Sequence, residues 1–184
     1  MKKLSKPITE LKHSYEVLVI GSGYGGSIAA SRMSRIGKSV CLLEKGKEFL
    51  PGDFPSKLTE ATGEMNLNMG KKSADKNGLY DFTMGNGISV FKGCGLGGTS
   101  LVNANVSIKP EPRVLEDSLW PSAIRNNIES FHQGVEHALD MLKPNPYPEG
   151  KNGYPILAKT EAMRKSAKHM AEEFRLLDIN VTFD

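Results

Sequence analysis

The sequence predicts an α/β fold whose core is a parallel sheet carrying helices and a β-hairpin. Three observations predict it. A run rich in β-branched residues, Tyr15 to Ile20, stops at a glycine, a helical apolar stripe follows, and a second apolar run, Ser39 to Glu44, comes directly after it. A strand, a helix and a strand within about thirty residues form a crossover unit, and right-handed crossovers join parallel strands.

Each element has its own signal. Residues 1–14 form a polar arm. Val17 to Ile20 is apolar on both faces, the mark of a buried parallel strand. From Tyr24 to Ile36, the residues Ile28, Ala29, Met33 and Ile36 recur at three- and four-residue steps with Arg32 and Arg35 off the stripe, which predicts an amphipathic helix stopped by Gly37. Between Lys45 and Gly78 the pattern weakens, because Pro51, Gly52 and Pro55 break it and only Leu58, Ala61 and Met65 suggest a short helix. Leu79 to Met84 and Ile88 to Phe91 flank Gly85-Asn86-Gly87 and read as a hairpin. Further on, Ile124, Ile128, Phe131, Val135, Leu139 and Leu142 share one helical stripe that ends before Pro144. Pro144 to Pro155 is an extended loop, Met163, Ala167, Met170 and Phe174 mark a last helix, and Ile179, Val181 and Phe183 alternate as a strand with no following neighbour.

Composition narrows the function. The 184 residues are 39% hydrophobic and 24% charged, which excludes a disordered or collagen-like chain. Apolar runs are strand-sized, well short of the eighteen or so residues of an integral membrane segment. A net charge of +3 from scattered lysines makes no basic stripe for nucleic acid. Two cysteines, Cys41 and Cys94, lack metal-ligand spacing, so neither a disulfide framework nor a metal site is expected. The amino terminus is basic but has no apolar core behind it, and a cytoplasmic protein is expected.

The chemistry concentrates in two glycine clusters. Gly21-Ser22-Gly23-Tyr24-Gly25-Gly26 is a Gly-x-Gly-x-x-Gly fingerprint, weak by itself but here leaving a strand and opening a helix. In that setting Gly21 makes the tight turn, Gly23 admits a pyrophosphate against the backbone, and Gly26 permits close helix–strand packing. The helix amino terminus then faces the phosphates. Glu44 lies eighteen residues past Gly26, where a carboxylate accepts the adenosine ribose hydroxyls and repels a 2′-phosphate. The site suits FAD or NAD and not NADP, and residues 15–44 do not choose between the first two. The expected fold is thus a Rossmann-like FAD/NAD(P)-binding domain.

The second cluster is Gly93-Cys94-Gly95-Leu96-Gly97-Gly98, followed by Thr99, Ser100, Asn103 and Asn105. Its chemistry alone fits a structural turn as well as a ligand loop. Gly93 to Asn103 resembles the first signature of the glucose-methanol-choline (GMC) flavin oxidoreductases at each position, and Pro110 continues it, while Ser107 stands where the signature has an aromatic residue or alanine. Leu43-Glu44-Lys45-Gly46, Asn103-Ala104-Asn105, Lys109-Pro110-Glu111-Pro112, Trp120, Phe131-His132 and Met141-Leu142 make the chain most similar to the bacterial cholesterol oxidase branch, over residues 15 to about 183.

The resemblance implies extended FAD with Gly21, Gly23 and Gly26 at the pyrophosphate and Glu44 at the ribose. The loop with Gly93, Gly95, Gly97 and Gly98 would run past pyrophosphate and flavin, with Ser100, Asn103 and Asn105 nearest the isoalloxazine. It implies an alcohol or sterol substrate oxidised by hydride transfer. It also implies that residues 15–184 are the amino-terminal part of the FAD-binding domain, with substrate-domain elements beginning after about residue 145. Family members are several hundred residues longer and carry their catalytic histidine near the far end. His13, His132, His137 and His169 match no such position, so no catalytic residue is assigned and the carboxyl-terminal part of the fold is the missing partner. Two alternatives stay open: an inactive nucleotide-binding remnant, or another FAD- or NAD-dependent oxidoreductase such as a flavin amine oxidase.

Overall fold

The computed structural model describes residues 2–69, 77–151 and 153–183. The chain divides into two compact units, residues 1–103 and 104–184. The first unit is mixed α/β with parallel strands. Strands β1 (Val17–Ile20) and β2 (Val40–Leu43) pair in parallel from Val17 opposite Val40 to Ile20 opposite Leu43, joined by helix α1 (Tyr24–Arg35). Gly37, at φ +85°, ends the helix with its amide donating to the Ser34 carbonyl, as the stop glycine requires.

Burial corrects two expectations here. β1 is not buried on both faces: Val17 and Val19 are half-buried, while Leu18 and Ile20 are 59% and 82% exposed. Among the described residues β1 has one strand neighbour, and α1 approaches only the face that carries Val19. The predicted stripe of α1 also points the wrong way, because Ile28, Met33 and Ile36 are exposed. The inner face runs instead through Gly26 and Ala30, since a helix can sit this close to a strand only on residues that carry little or no side chain.

The polar arm makes one 3-10 turn, Ile8–Glu10, and its Leu4 and Ser5 amides donate to the Glu48 carboxylate. Beyond β2, the short helix α2 (Leu58–Gly63) stands where Leu58 and Ala61 placed it. Met65 belongs to strand β3 (Met65–Asn68), which pairs in parallel with β4 (Tyr80–Met84). Asparagines are poor strand formers, so Met-Asn-Leu-Asn carries only a two-step alternation and escaped the sequence reading. The hairpin of β4 with β5 (Ser89–Gly93) is antiparallel, as expected, with Phe82 opposite and stacked on Phe91 at 4.4 Å. Leu79, fully buried, accepts the Cys94 amide on its carbonyl and so fixes where the second glycine loop leaves the sheet.

The second unit is mainly helical: α3 (Pro112–Leu115), α4 (Ser122–Arg125), α5 (Ile128–Leu142) and α6 (Ala158–His169). The expected single helix from Ile124 to Leu142 is two. Asn127 breaks it by turning its side-chain amide back to the Ala123 carbonyl, a local bond that competes with helical backbone pairing. Ile128, Phe131, Val135 and Leu139 do line the inner face of α5, and Leu142 is exposed. The last helix stops before Phe174, where Ala171 adopts φ +57°, and Met163 and Met170 face outward. Its inner face is set by Arg164, which pairs with Glu161 and Glu149 and lies over the Phe174 ring at 4.9 Å. The final strand does find a neighbour: β7 (Asp178–Ile179) pairs antiparallel with β6 (Asn145–Pro146) inside the stretch expected to be loop, and Ile179 also bridges Val106. Among the described residues, no helix is long and apolar enough to cross a membrane.

Candidate functional site

The two glycine clusters, 67 positions apart from Gly26 to Gly93, meet in the first unit. The first turn leaves β1 at Gly21, whose amide donates to the Leu43 carbonyl at 2.8 Å and whose φ of +89° suits glycine. α1 opens at Gly23, with the Ser27 amide bonding the Gly23 carbonyl, so the first amides of the helix have no acceptor within it and Gly23 provides no side-chain cap. A Cβ at Gly26 would lie 2.0 Å from the Gly21 carbonyl oxygen, whereas one at Gly21, Gly23 or Gly25 would meet nothing within 4 Å. The turn is closed behind and open in front.

The second loop is laid against this turn. A Cβ at Gly98 would sit 2.8 Å from the Gly23 Cα, and one at Gly46 would sit 2.4 Å from the Gly95 nitrogen. The Leu96 amide donates to the Lys47 carbonyl at 2.8 Å. Gly93 and Gly98 fold onto each other, and the Ser100 hydroxyl returns to the Gly97 carbonyl. The Asn103 side chain donates to the Tyr24 hydroxyl at the start of α1. The structure therefore brings together Gly21, Gly23, Gly26, Glu44, Gly93, Gly95, Gly97, Gly98, Ser100 and Asn103. Asn105, at φ +57°, belongs to the second unit, where its carbonyl accepts the Asn180 amide.

Glu44 has a structural duty that the sequence did not show. Its Oε2 accepts the Ser22 amide at 3.0 Å and the Ser22 hydroxyl at 2.6 Å, and its Oε1 accepts the Gly46 amide at 2.8 Å. Burial pushes this carboxyl up, but the bonds from Ser22 and Gly46 outweigh it and hold the group below its ordinary value of 4.5. The fold favours the ionised form, so Glu44 contributes stability that is full above pH 4.5 and is lost as pH falls through the lowered folded value. We expect the thermal midpoint of the chain to drop on acidification below 4.5, and Glu44→Gln to flatten that drop; an equal drop in both proteins would remove Glu44 as its cause. Cys94, buried beside this cluster, has its thiol pushed up by burial and then by the Glu44 charge, so it is held as an unreactive thiol.

A cradle with bare backbone in front, a helix amino terminus and an adjacent carboxylate fits an adenine dinucleotide. Comparison with known proteins specifies which one. Residues 16–68 match the FAD binding domain family, so the cofactor of this unit is FAD. The chain is also similar to a cholesterol oxidase of Acinetobacter baumannii, 29% identical over 129 residues, or 69% of this chain and 22% of that protein. It is 36% identical to an (R)-mandelonitrile lyase of Prunus dulcis over 138 residues, 74% of this chain and 23% of the other. A long-chain-alcohol oxidase of Arabidopsis thaliana is 33% identical over 102 residues, 55% of this chain and 12% of the other. The chain thus resembles the amino-terminal part of GMC flavin oxidoreductases, cholesterol oxidases among them, and spans under a quarter of the length of these relatives. Oxidases and a lyase share the likeness, so it does not single out one reaction.

Proposed function

We propose that this chain is the FAD-binding part of a GMC-type oxidoreductase that oxidises an alcohol, a sterol 3-hydroxyl being one candidate. The observation that carries the reading is the meeting of the two glycine loops around a turn that is blocked at Gly26 and open at Gly23. Bound there, FAD supplies the hydride acceptor. Gly21, Gly23 and the first amides of α1 would hold the pyrophosphate, and Glu44 the adenosine ribose. The Gly93 to Gly98 loop, Ser100 and Asn103 would follow pyrophosphate and flavin. Titration of the purified chain with FAD, read by flavin fluorescence, tests the reading: saturable binding that NAD does not displace is expected, and NAD binding without FAD binding would overturn it.

Glu44→Ala should weaken FAD by about tenfold to a hundredfold, the worth of a charge-assisted hydrogen bond of roughly 1.5–3 kcal/mol. It should also lower stability, because the Ser22 and Gly46 amides lose their acceptor. FAD affinity unchanged beside a lowered midpoint would leave Glu44 with the structural duty alone.

A narrower reading, nucleotide binding without turnover by these 184 residues, is favoured by the histidines. His13, His132, His137 and His169 are all exposed, and none belongs to the cluster around Ser22. Alcohol oxidation needs a base placed on the hydroxyl proton with the carbon about 3–3.5 Å from the acceptor atom. We therefore expect no peroxide from cholesterol or a primary alcohol above a free-FAD control. Peroxide formation above that control would show a complete active site within these residues.

A further inference from the structure

We propose that Ser22 is a positioning residue of the FAD site, its hydroxyl locking Glu44 and the second glycine loop into one cradle. The inference rests on the FAD reading above and assigns a role to a side chain that the Gly-x-Gly-x-x-Gly pattern leaves free.

Ser22 is 1% exposed, in the middle of a turn otherwise made of backbone. Its hydroxyl donates to Glu44 Oε2 at 2.6 Å and accepts the Gly97 amide at 2.9 Å, while the Gly95 carbonyl lies 3.3 Å away. One hydroxyl has a single proton and two acceptor lone pairs, so both close bonds form at once. Its own amide donates to the same Glu44 oxygen, and its carbonyl accepts the Ser27 hydroxyl from α1 at 2.6 Å. Three segments, the first turn, the exit of β2 and the second loop, therefore converge on one side chain. The titratable groups near Glu44 are Lys45, next in sequence, whose backbone amide also donates to the carboxylate, and the neutral Cys94 thiol. The Ser22 hydroxyl bonds both the carboxylate and the Gly97 amide and so links the two directly.

The test begins with the unmutated chain. In a pH titration followed by amide NMR from neutral pH downward, the Ser22 and Gly46 resonances should report Glu44 protonation directly. Gly97, whose amide donates to the Ser22 hydroxyl, should move with the same midpoint, below 4.5. A Gly97 resonance that ignores this midpoint would overturn the proposal with no variant involved. In Ser22→Ala the Glu44 midpoint should rise and FAD affinity should fall by about tenfold. Ser22→Cys, which fills the same space with a weak donor and acceptor, should shift both in the same direction. Unshifted midpoints in whichever variant folds would also overturn it. Failure of the unmutated chain to bind FAD would sink the cofactor reading while leaving the Gly97 titration to decide the coupling.

Discussion

Gly23→Val is expected to abolish FAD binding while leaving the fold of the first unit intact, and Gly26→Ala is expected to do the reverse damage. A Cβ at Gly23 meets no protein atom within 4 Å, and the residue has φ −63° with extended ψ, which valine adopts without strain. The added branches would occupy only the space in front of the turn, where the pyrophosphate must approach backbone. At Gly26 the same atom would be driven to 2.0 Å from the Gly21 carbonyl oxygen and 3.3 Å from Val19. The Gly21 carbonyl cannot give way cheaply, because the peptide that carries it is held by the Ser22 amide donating to Glu44 and the peptide before it by the Gly21 amide donating to the Leu43 carbonyl. Overpacking of a close contact costs about 1–3 kcal/mol and more where backbone must move. Thermal unfolding by circular dichroism and an FAD titration separate the cases: Gly23→Val with a normal midpoint and no binding, Gly26→Ala with a lowered midpoint. Cys94→Ser, at a position where the signature accepts several side chains, should retain FAD. Normal FAD affinity in Gly23→Val would move the dinucleotide away from this turn.

The contrast between those two glycines shows how much of the site was legible in the sequence. The spacing of Gly21, Gly23 and Gly26 between a strand and a helix carries its own chemistry, because a tight turn, a ligand approach and a close helix contact each demand the missing side chain. The hairpin was legible too, since Gly85-Asn86-Gly87 separates two alternating runs. The direction of α1 was not. Periodicity reports that Ile28, Met33 and Ile36 share a face, but the packed face is chosen by how near the helix must lie to β1, and Gly26 decides that. α6 failed for a similar reason: its inward group is the Arg164 guanidinium, paired with Glu149 and set on Phe174, which an apolar count reads as surface. Ser22 was invisible because its role depends on Gly97, 75 positions away.

The largest loss of stability is expected from Gly46→Ala, at a residue outside both glycine clusters. A Cβ there would lie 2.4 Å from the Gly95 nitrogen, 2.5 Å from the Cys94 carbonyl carbon and 2.6 Å from the Gly95 Cα. All three are backbone atoms, so no rotamer change relieves the clash and the second loop must move away from the exit of β2. That movement would strain the Leu96 amide bond to Lys47, the Gly97 amide bond to Ser22 and the Gly46 amide bond to Glu44. The two neutral bonds are worth about 0.5–1.5 kcal/mol each and the one to the charged carboxylate about 1.5–3 kcal/mol, so losing all three should cost about 2.5–6 kcal/mol. Gly63→Ala provides the control: it ends α2, its Cβ would meet nothing within 4 Å, and a change of under about 1 kcal/mol is expected there. Denaturant unfolding of the two variants beside the unmutated chain measures both effects. Gly46→Ala should also lose FAD, since the second loop would no longer lie against Gly23. A variant as stable as Gly63→Ala would show that the two loops are not held together at this contact.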